Sequence, residues 1–377
     1  MDRVAVIDLG SASTTLAVFE GGRRGFLDRV HTEGHDSRLL KRLDEGRRLP
    51  PEAVRALVDC VAAYRDVARE QGATRIQVAA TSAMRDAVNG PEVLAEISRI
   101  QGLEVRLISG ADEGRLAAHT VLCTLPFRDG VVVDQGGGSM QLVRVKARRI
   151  RAVVSLPLGA LRLSERFLPD PGVPAAAALS ALRRHVVEAL GTVPWLAEAG
   201  GQLVGVGGGA RALGKITRRA GDGGFRHGHG YLLDGEALLD RYEQLSRMDA
   251  ADRAEVPGVP GSRIDTIVAA ALTLSTLVRL GHFDGLHLST YGLREGIAFR
   301  ALYGDAPVPD PGAAGIRGRL KVAPPERGPA VSGLSPRERR LYAAAAHLSP
   351  ERLLDKPIQG FWQEEVGRVV DALRRPR

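Results

Sequence analysis

Val4-Ala5-Val6-Ile7-Asp8-Leu9-Gly10-Ser11 and Val131-Val132-Val133-Asp134-Gln135-Gly136-Gly137-Gly138-Ser139 are built to one plan. Each runs an apolar strand into an aspartate, one spacer residue, then glycine and small polar residues. Past each turn the alternation resumes, at Thr15-Leu16-Ala17-Val18-Phe19 and at Gln141-Leu142-Val143-Arg144-Val145. Alternation on both sides of a short glycine turn predicts a β-hairpin in each place. A strand–Asp–Gly-turn–strand unit used twice, at domain-sized spacing, predicts two related domains facing each other. The competing reading is chance likeness between two ordinary glycine hairpins.

Between the hairpins, Val54, Leu57, Val61, Tyr64 and Val67 recur at helical spacing over 51–71, with Pro51 in the first turn. A strand is expected over 75–80, a helix over 91–100, a strand over 105–108 and a helix over 113–122. The second half continues with a strand at 153–156, a helix near 175–190, a strand at 203–206 and an apolar helix at 264–280. A strand near 286–288 and a helix near 293–302 follow. Strands and helices in this order argue for α/β layering. Six prolines fall within 307–329, which reads as a linker to a small basic helical tail. The expected boundaries are 1–120 with 296–306 for a first domain, 121–295 for a second, and 307–377 for linker and tail.

The 377 residues, 44% hydrophobic and 25% charged, have an ordinary globular composition, which excludes disordered, collagen-like and coiled-coil chains. Cys60 and Cys123 are too few for a disulfide framework or a four-ligand zinc site, and point to a reducing, cytoplasmic setting. The N-terminus runs straight into a strand, so no signal peptide is expected. The stretch 264–280 is too short and too rich in Thr and Ser to span a bilayer, so no membrane partner is expected either. Net charge is +8, and only five of the 52 basic residues are lysine. Arginine suits bidentate phosphate and carboxylate contacts, although a GC-rich genome gives the same bias. From Pro307 onward basic residues outnumber acidic ones 13 to 8. The partner class this charge fits is a polyanion: inorganic polymer, nucleotide or nucleic acid.

Glycine turns bring backbone N–H groups close to an anion, and an aspartate at a strand end can hold Mg²⁺ through water. Asp8, Gly10 and Ser11, with Asp134, Gly136, Gly137, Gly138 and Ser139, would clamp a phosphate across a cleft. A third turn over 205–210 follows a strand and opens a helix, which is an anion-binding layout. Three other readings are set aside. Residues 209–216 nearly spell a Walker A loop but end in Ile216, where Ser or Thr must bind Mg²⁺. Gly205, Gly207 and Ala210 fit the loose dinucleotide fingerprint, without the acidic strand end that should follow. His227 and His229 have no cysteine or carboxylate near in sequence and read as a polar loop, not a metal site.

Seven stretches in order resemble the exopolyphosphatase/guanosine pentaphosphatase (Ppx/GppA) family of the actin-like ATPase superfamily. They are 7–11, 80–87 with Asn89, 108–115, 133–139, 155–159, 204–208 and 292–296, in register from about Val4 to Leu302. The resemblance implies two actin-like (ribonuclease H-like) domains with a phosphate cleft between them. It implies an enzyme that releases terminal phosphate from inorganic polyphosphate, or from guanosine pentaphosphate, with Mg²⁺. Glu113 would orient and deprotonate the attacking water, and Arg85 would bind the terminal phosphate. Asp8 and Asp134 would hold Mg²⁺. Gly10, Ser11, Ser13, Gly136, Gly137, Gly138, Ser139, Gly207 and Gly208 would bind phosphate. Against the role for Glu113 stands the plain reading that the helix dipole favours an acid there. Nucleic acid is not the expected partner, and a homodimer is left open.

Four positions depart from the family. Ala12 replaces its Asn, Gln141 its Glu (after Met140 for Thr), Gly209 its Thr, and Thr290 its Asp. Gln141 bears most on function, because an amide can hydrogen-bond but can neither take a proton nor bind Mg²⁺ strongly. If it stands where a metal-binding or supporting carboxylate belongs, the chain becomes a weak or inactive binder of polyphosphate or alarmone. A kinase-like transfer needs a nucleotide pocket, and Gly209 argues against one.

Overall fold

The computed structural model describes residues 2–22, 25–218, 226–346 and 348–374. Its first half contains β1 (Arg3–Leu9), β2 (Thr14–Gly21), β3 (Leu27–His35), α1 (Pro51–Glu70), β4 (Arg75–Ala80), α2 (Ser82–Asp86), α3 (Gly90–Gln101) and β5 (Val105–Leu107). Helix α4 (Gly110–Thr124) leads to β6 (Gly130–Gln135), β7 (Met140–Lys146), β8 (Arg149–Leu156), α5 (Ala160–Phe167) and α6 (Ala176–Gly191). Then come β9 (Gln202–Val206), α7 (Gly208–Thr217), β10 (Leu232–Asp234), α8 (Gly235–Ser246), α9 (Ala250–Glu255), α10 (Ile267–Leu280), β11 (Gly285–Leu288) and α11 (Leu293–Tyr303).

The first sheet has the order β3-β2-β1-β4-β5 and the second β10-β11-β9-β6-β7-β8. In the first, β3, β2 and β1 pair antiparallel, while β4 and β5 continue in parallel. The run β8-β7-β6-β9-β11 repeats that order and those directions strand for strand, with β10 added as an antiparallel edge. The two look-alike hairpins thus head two copies of one α/β plan.

Burial follows the sequence pattern where that pattern is strong. Helix α1 buries Val54, Leu57, Val61 and Tyr64 in the core of the first sheet. Helix α10 is buried on every face from Ile267 to Val278, as a helix apolar all round must be. Among the described residues no helix is long and apolar enough to cross a membrane. Strand β3 carries Asp28, Arg29, His31 and Glu33 along a largely exposed edge, so it has no apolar alternation to read.

Helices α4 and α11 lie where the two sheets meet. Helix α4 begins at Gly110 and not at 113, because the Ser109 hydroxyl caps it, accepting from the Asp112 N–H at 3.1 Å. Gly110 and Gly114, one turn apart, set how closely it approaches β7 and β8. A Cβ at Gly110 would fall 2.2 Å from Ser155 Oγ, and one at Gly114 3.0 Å from Val153. Without those methyl groups the first turn rests directly on the sheet, and Glu113 is carried with it.

The first part of the stretch read as a linker, 307–320, is packed, while 321–333 carries no helix or strand and is largely exposed. Helix α12 (Pro311–Gly315) is entirely buried and runs into a π-helical turn over Ile316–Leu320. Asp310 caps it, accepting from the Ala313 N–H at 2.9 Å, with Pro311 in the first turn. Glycine here serves close contact, since a Cβ at Gly315 would fall 2.1 Å from the Gln359 carbonyl oxygen. Helices α13 (Pro336–Ala345), α14 (Arg352–Asp355) and α15 (Gln363–Arg374) enclose an apolar core of their own. Gln359 Nε2 donates to the carbonyls of Gly25 and Cys123, each at 2.8 Å, and Trp362 enters the core around α4. The tail is therefore docked on the C-terminal end of α4. The loop read as polar is also interior in part: His229 is buried, and its Nδ1 accepts from the Thr290 N–H at 3.2 Å.

Candidate active site

The two hairpin tips meet at a cleft of about 900 Å³ that opens to solvent. They close alike: Gly10 N–H donates to the Ser13 carbonyl at 3.1 Å, and Gly136 N–H to the Ser139 carbonyl at 2.9 Å. A Cβ at Gly138 would fall 2.4 Å from Ser82 Oγ and 2.7 Å from Ser11 Oγ. Glycine is thus required there by the approach of the two halves, whatever it also does for an anion. At the third turn Gly207 takes a φ of +96°, and a Cβ would fall 2.5 Å from the Gln135 carbonyl oxygen. Helix α7 starts from this turn, at the same cleft. Asp8, Gly10, Ser11, Ser13, Glu113, Asp134, Gly136, Gly137, Gly138, Ser139, Gly207 and Gly208 all line it.

Arg85 reaches the group through Glu113. Its Nη2 donates to Glu113 Oε2 at 2.8 Å and lies 3.5 Å from Ser139 Oγ, while Nη1 is anchored on the Ile108 carbonyl. Burial pushes the Glu113 carboxyl up to about 7, with the Arg85 charge pulling the other way. Gln141 stands opposite Asp134 in the β6–β7 ladder. Its Nε2 donates to Ser139 Oγ at 2.9 Å, Ser155 Oγ at 3.1 Å and Glu113 Oε2 at 3.2 Å. The family's acid is therefore replaced by a donor bonded to Glu113.

Three of the other departures, at 12, 140 and 209, have packing reasons, and nothing in the structure explains Thr290. A Cβ at Gly137 would fall 3.1 Å from that of Ala12, so a small residue at 12 suits the meeting of the tips. At Gly209 a Cβ would fall 2.9 Å from Ala270, so glycine lets α7 close on α10. Met140 is fully buried in the core of the second sheet. The Thr290 carbonyl accepts from Arg29 Nη2 at 3.2 Å.

Three cations in the cleft carry no role in the sequence reading. Arg211, Arg263 and Arg294 line it. Burial, then the Arg294 charge, pushes Arg211 down to about 10. A Cβ at Gly208 would fall 2.2 Å from the Arg263 guanidinium, which lies across the start of α7. Arg294 sits within the 292–296 motif, and Arg211 within the stretch set aside as a near-Walker loop. No spacing rule marks a cation that turns toward a cleft. Like charges gathered in a shielded cleft favour an anionic occupant.

Asp8 Oδ1, Ser11 Oγ and Gln135 Oε1 are buried in this cleft without a hydrogen-bond partner. Burial pushes Asp8 and Asp134 each up to about 6. Orphaned oxygens beside two buried carboxylates fit a hard cation such as Mg²⁺, which takes one or two carboxylates and keeps several waters. Among the described residues no three His, Cys, Asp or Glu gather as a metal group, so water and phosphate would complete the shell. Mg²⁺ at a hundredfold excess over its Kd is expected to stabilise the protein by about 2.7 kcal/mol at pH 8, a shift of several degrees in Tm. At pH 5, below the value of about 6 for both aspartates, the shift should shrink, because a protonated carboxyl is a poor ligand. Thermal melts with MgCl₂ against ionic-strength-matched NaCl, in wild type and Asp8→Asn, make the check. An equal shift in the variant would remove Asp8 from the metal.

The model of the Ppx/GppA phosphatase family matches residues 17–304. Exopolyphosphatase 1 of Mycobacterium leprae is 30% identical over 315 residues, 81% of this chain and 91% of that protein. Exopolyphosphatase 2 of Mycobacterium tuberculosis is 31% identical over 320 residues, 79% of this chain and 98% of that protein. Among solved structures, that of the Aquifex aeolicus Ppx/GppA family member matches with a TM-score of 0.69 at 26% identity, covering 80% of this chain and 97% of that one. Duplicated hairpins, the shared cleft and these matches agree, and the chain belongs to the Ppx/GppA phosphatase family.

Proposed function

We propose that this chain is an exopolyphosphatase, releasing the terminal phosphate of inorganic polyphosphate by attack of water in the cleft. The observation that carries the reading is Glu113: a carboxylate pushed up to about 7 by burial, 2.8 Å from Arg85, where two glycine turns converge. Relatives named as exopolyphosphatases support it.

The terminal phosphate enters between the Gly10–Ser13 and Gly136–Ser139 turns, and Arg85 takes its equatorial oxygens. Glu113 orients a water and accepts its proton as the new O–P bond forms. The P–O bond to the next phosphate breaks, and its oxygen leaves as the end of the shortened chain. Arg211, Arg263 and Arg294 meet the negative charge of the chain that remains. Mg²⁺ held by Asp8 and Asp134 would screen the phosphate oxygens. Phosphate release from long-chain polyphosphate and from guanosine pentaphosphate, with and without Mg²⁺, tests the proposal. Tight binding of polyphosphate with no release would give the site to the inactive-binder reading.

Gln141 is what separates the two readings. A donor at 3.2 Å from Glu113 Oε2 favours the ionised form that a base needs. In Gln141→Glu two carboxylates would face each other, and the acid limb of kcat/KM is expected to move up by about one pH unit. A pH series of initial rates measures it. Should the variant instead release phosphate much faster at every pH, wild type lacks a carboxylate it needs.

A further inference from the structure

A second concentration of positive charge lies where the tail meets the body. Arg128, Arg148, Arg337 and Arg340 line an open cavity of about 770 Å³, with Asp310 as its single carboxylate. Two of the four come from α13, beyond the family match at 17–304. We propose that this cavity binds the phosphate chain of polyphosphate at a second point, at the end of α4 away from Glu113. From Glu113 to its last residue, Thr124, helix α4 rises about 16 Å. The inference rests on the exopolyphosphatase reading for its ligand, and on the following geometry for the site.

Three of the four guanidinium groups are held in place, Arg128 being exposed, and their charge is incompletely neutralised. Arg148 donates to the carbonyls of Leu122 at 2.7 Å, Phe127 at 3.2 Å and Val308 at 3.3 Å, which fix its direction without cancelling its charge. It projects from a two-residue hairpin turn in which Ala147 and Arg148 have φ of +53° and +60°, positions that usually take Asn and Gly. Arg337 stacks on Phe361 at 4.8 Å and donates from Nε to Glu365 at 3.2 Å, leaving Nη2 buried and without a partner. Arg340 is paired with Asp310 at 3.2 Å, and Arg128 with Asp129 at 3.4 Å. Burial holds Arg148 below its ordinary value, and the Arg337 and Arg128 charges press the same way, so the cations share one space. Guanidinium forks fit phosphate oxygens two at a time. No aromatic side chain lines the cavity, so it offers no platform for bases, which favours polyphosphate over nucleic acid.

A chain held at cavity and cleft together gains affinity that a short one cannot. The test uses the full-length protein and direct binding, so that it does not depend on turnover. Titrations with tripolyphosphate and with polyphosphate of about a hundred units are compared at one salt concentration, in wild type, in the double variant Arg128→Gln/Arg340→Gln, and in Asp310→Asn. Asparagine keeps the cap of α12. We expect the double variant to weaken the long chain about tenfold and leave tripolyphosphate unchanged, and Asp310→Asn to tighten the long chain. Damage to the tail cannot produce changes in opposite directions. Long-chain affinity unchanged in both variants, or weakened in both, overturns the site. So does loss of affinity for a single-stranded oligonucleotide with polyphosphate untouched. If wild type binds long chains in this pattern but releases no phosphate, the exopolyphosphatase reading fails and the second site stands.

Discussion

Glu113→Gln is expected to lower the turnover of polyphosphate by ~10²–10⁴ while its Kd stays close to that of wild type. The replacement is nearly isosteric, and its carbonyl oxygen can still accept from Arg85, so the cleft keeps its shape. What is lost is the ability to take a proton from water. In wild type, kcat/KM should rise with pH through about 7, where burial has placed this carboxyl, and the variant should lack that limb. The same shift sets a sign for stability. The folded state holds this proton more tightly than the unfolded chain does, so the contribution is complete below about 4.5 and is lost as pH rises through about 7. The variant, with nothing to ionise, should therefore melt above wild type at pH 8. Wild-type rates of phosphate release in Glu113→Gln would remove Glu113 from the reaction.

Arg85→Ala should be nearly as damaging, for two reasons that one measurement can separate. Loss of a charge-assisted phosphate contact costs about 1.5–3 kcal/mol, or roughly 10- to 150-fold in affinity for a short polyphosphate. The change also strips Glu113 of its cationic partner, 2.8 Å away, and a carboxylate left buried alone is harder to ionise. The acid limb of kcat/KM should therefore move above the wild-type value of about 7. Lysine should restore only part of either effect, because it cannot bridge Glu113 and the Ile108 carbonyl as the guanidinium does. Affinity by calorimetry and the pH profile of rate are the readouts. If neither moves, Arg85 serves only the helix it sits on.

The duplicated plan was legible because apolar alternation on both sides of a glycine turn is a local signal, and the sequence carries it twice. Strand β4 lies at 75–80 as expected, since a run such as Ile76–Ala80 between two helices has few alternatives. Strand β3 was not legible, because an exposed edge needs no alternation. Residues 307–320 misled for a related reason: proline and glycine describe a linker and a tightly packed turn equally well, and the Gln359 backbone against Gly315 tells them apart. In the candidate site the glycines and acids could be placed by motif. The contact between Gln141 and Glu113 could not, because it depends on how far α4 sinks onto β7 and β8. Arg211, Arg263 and Arg294 escaped because arginine is everywhere in this chain, and composition cannot say which ones turn inward.

How far α4 sinks also bears on inheritance. Gly110 leaves no room for a methyl group beside Ser155, and Ser155 cannot shrink to make room without dropping the hydroxyl that Gln141 donates to at 3.1 Å. Gln141 in turn holds Glu113. Positions 110 and 155 are therefore tied to each other, and neither drifts neutrally by itself. A lineage that exchanges glycine for alanine at 110 must change 155 as well, and must then find another partner for 141. Substitutions at 110 and 155 should arrive together among descendants of this chain.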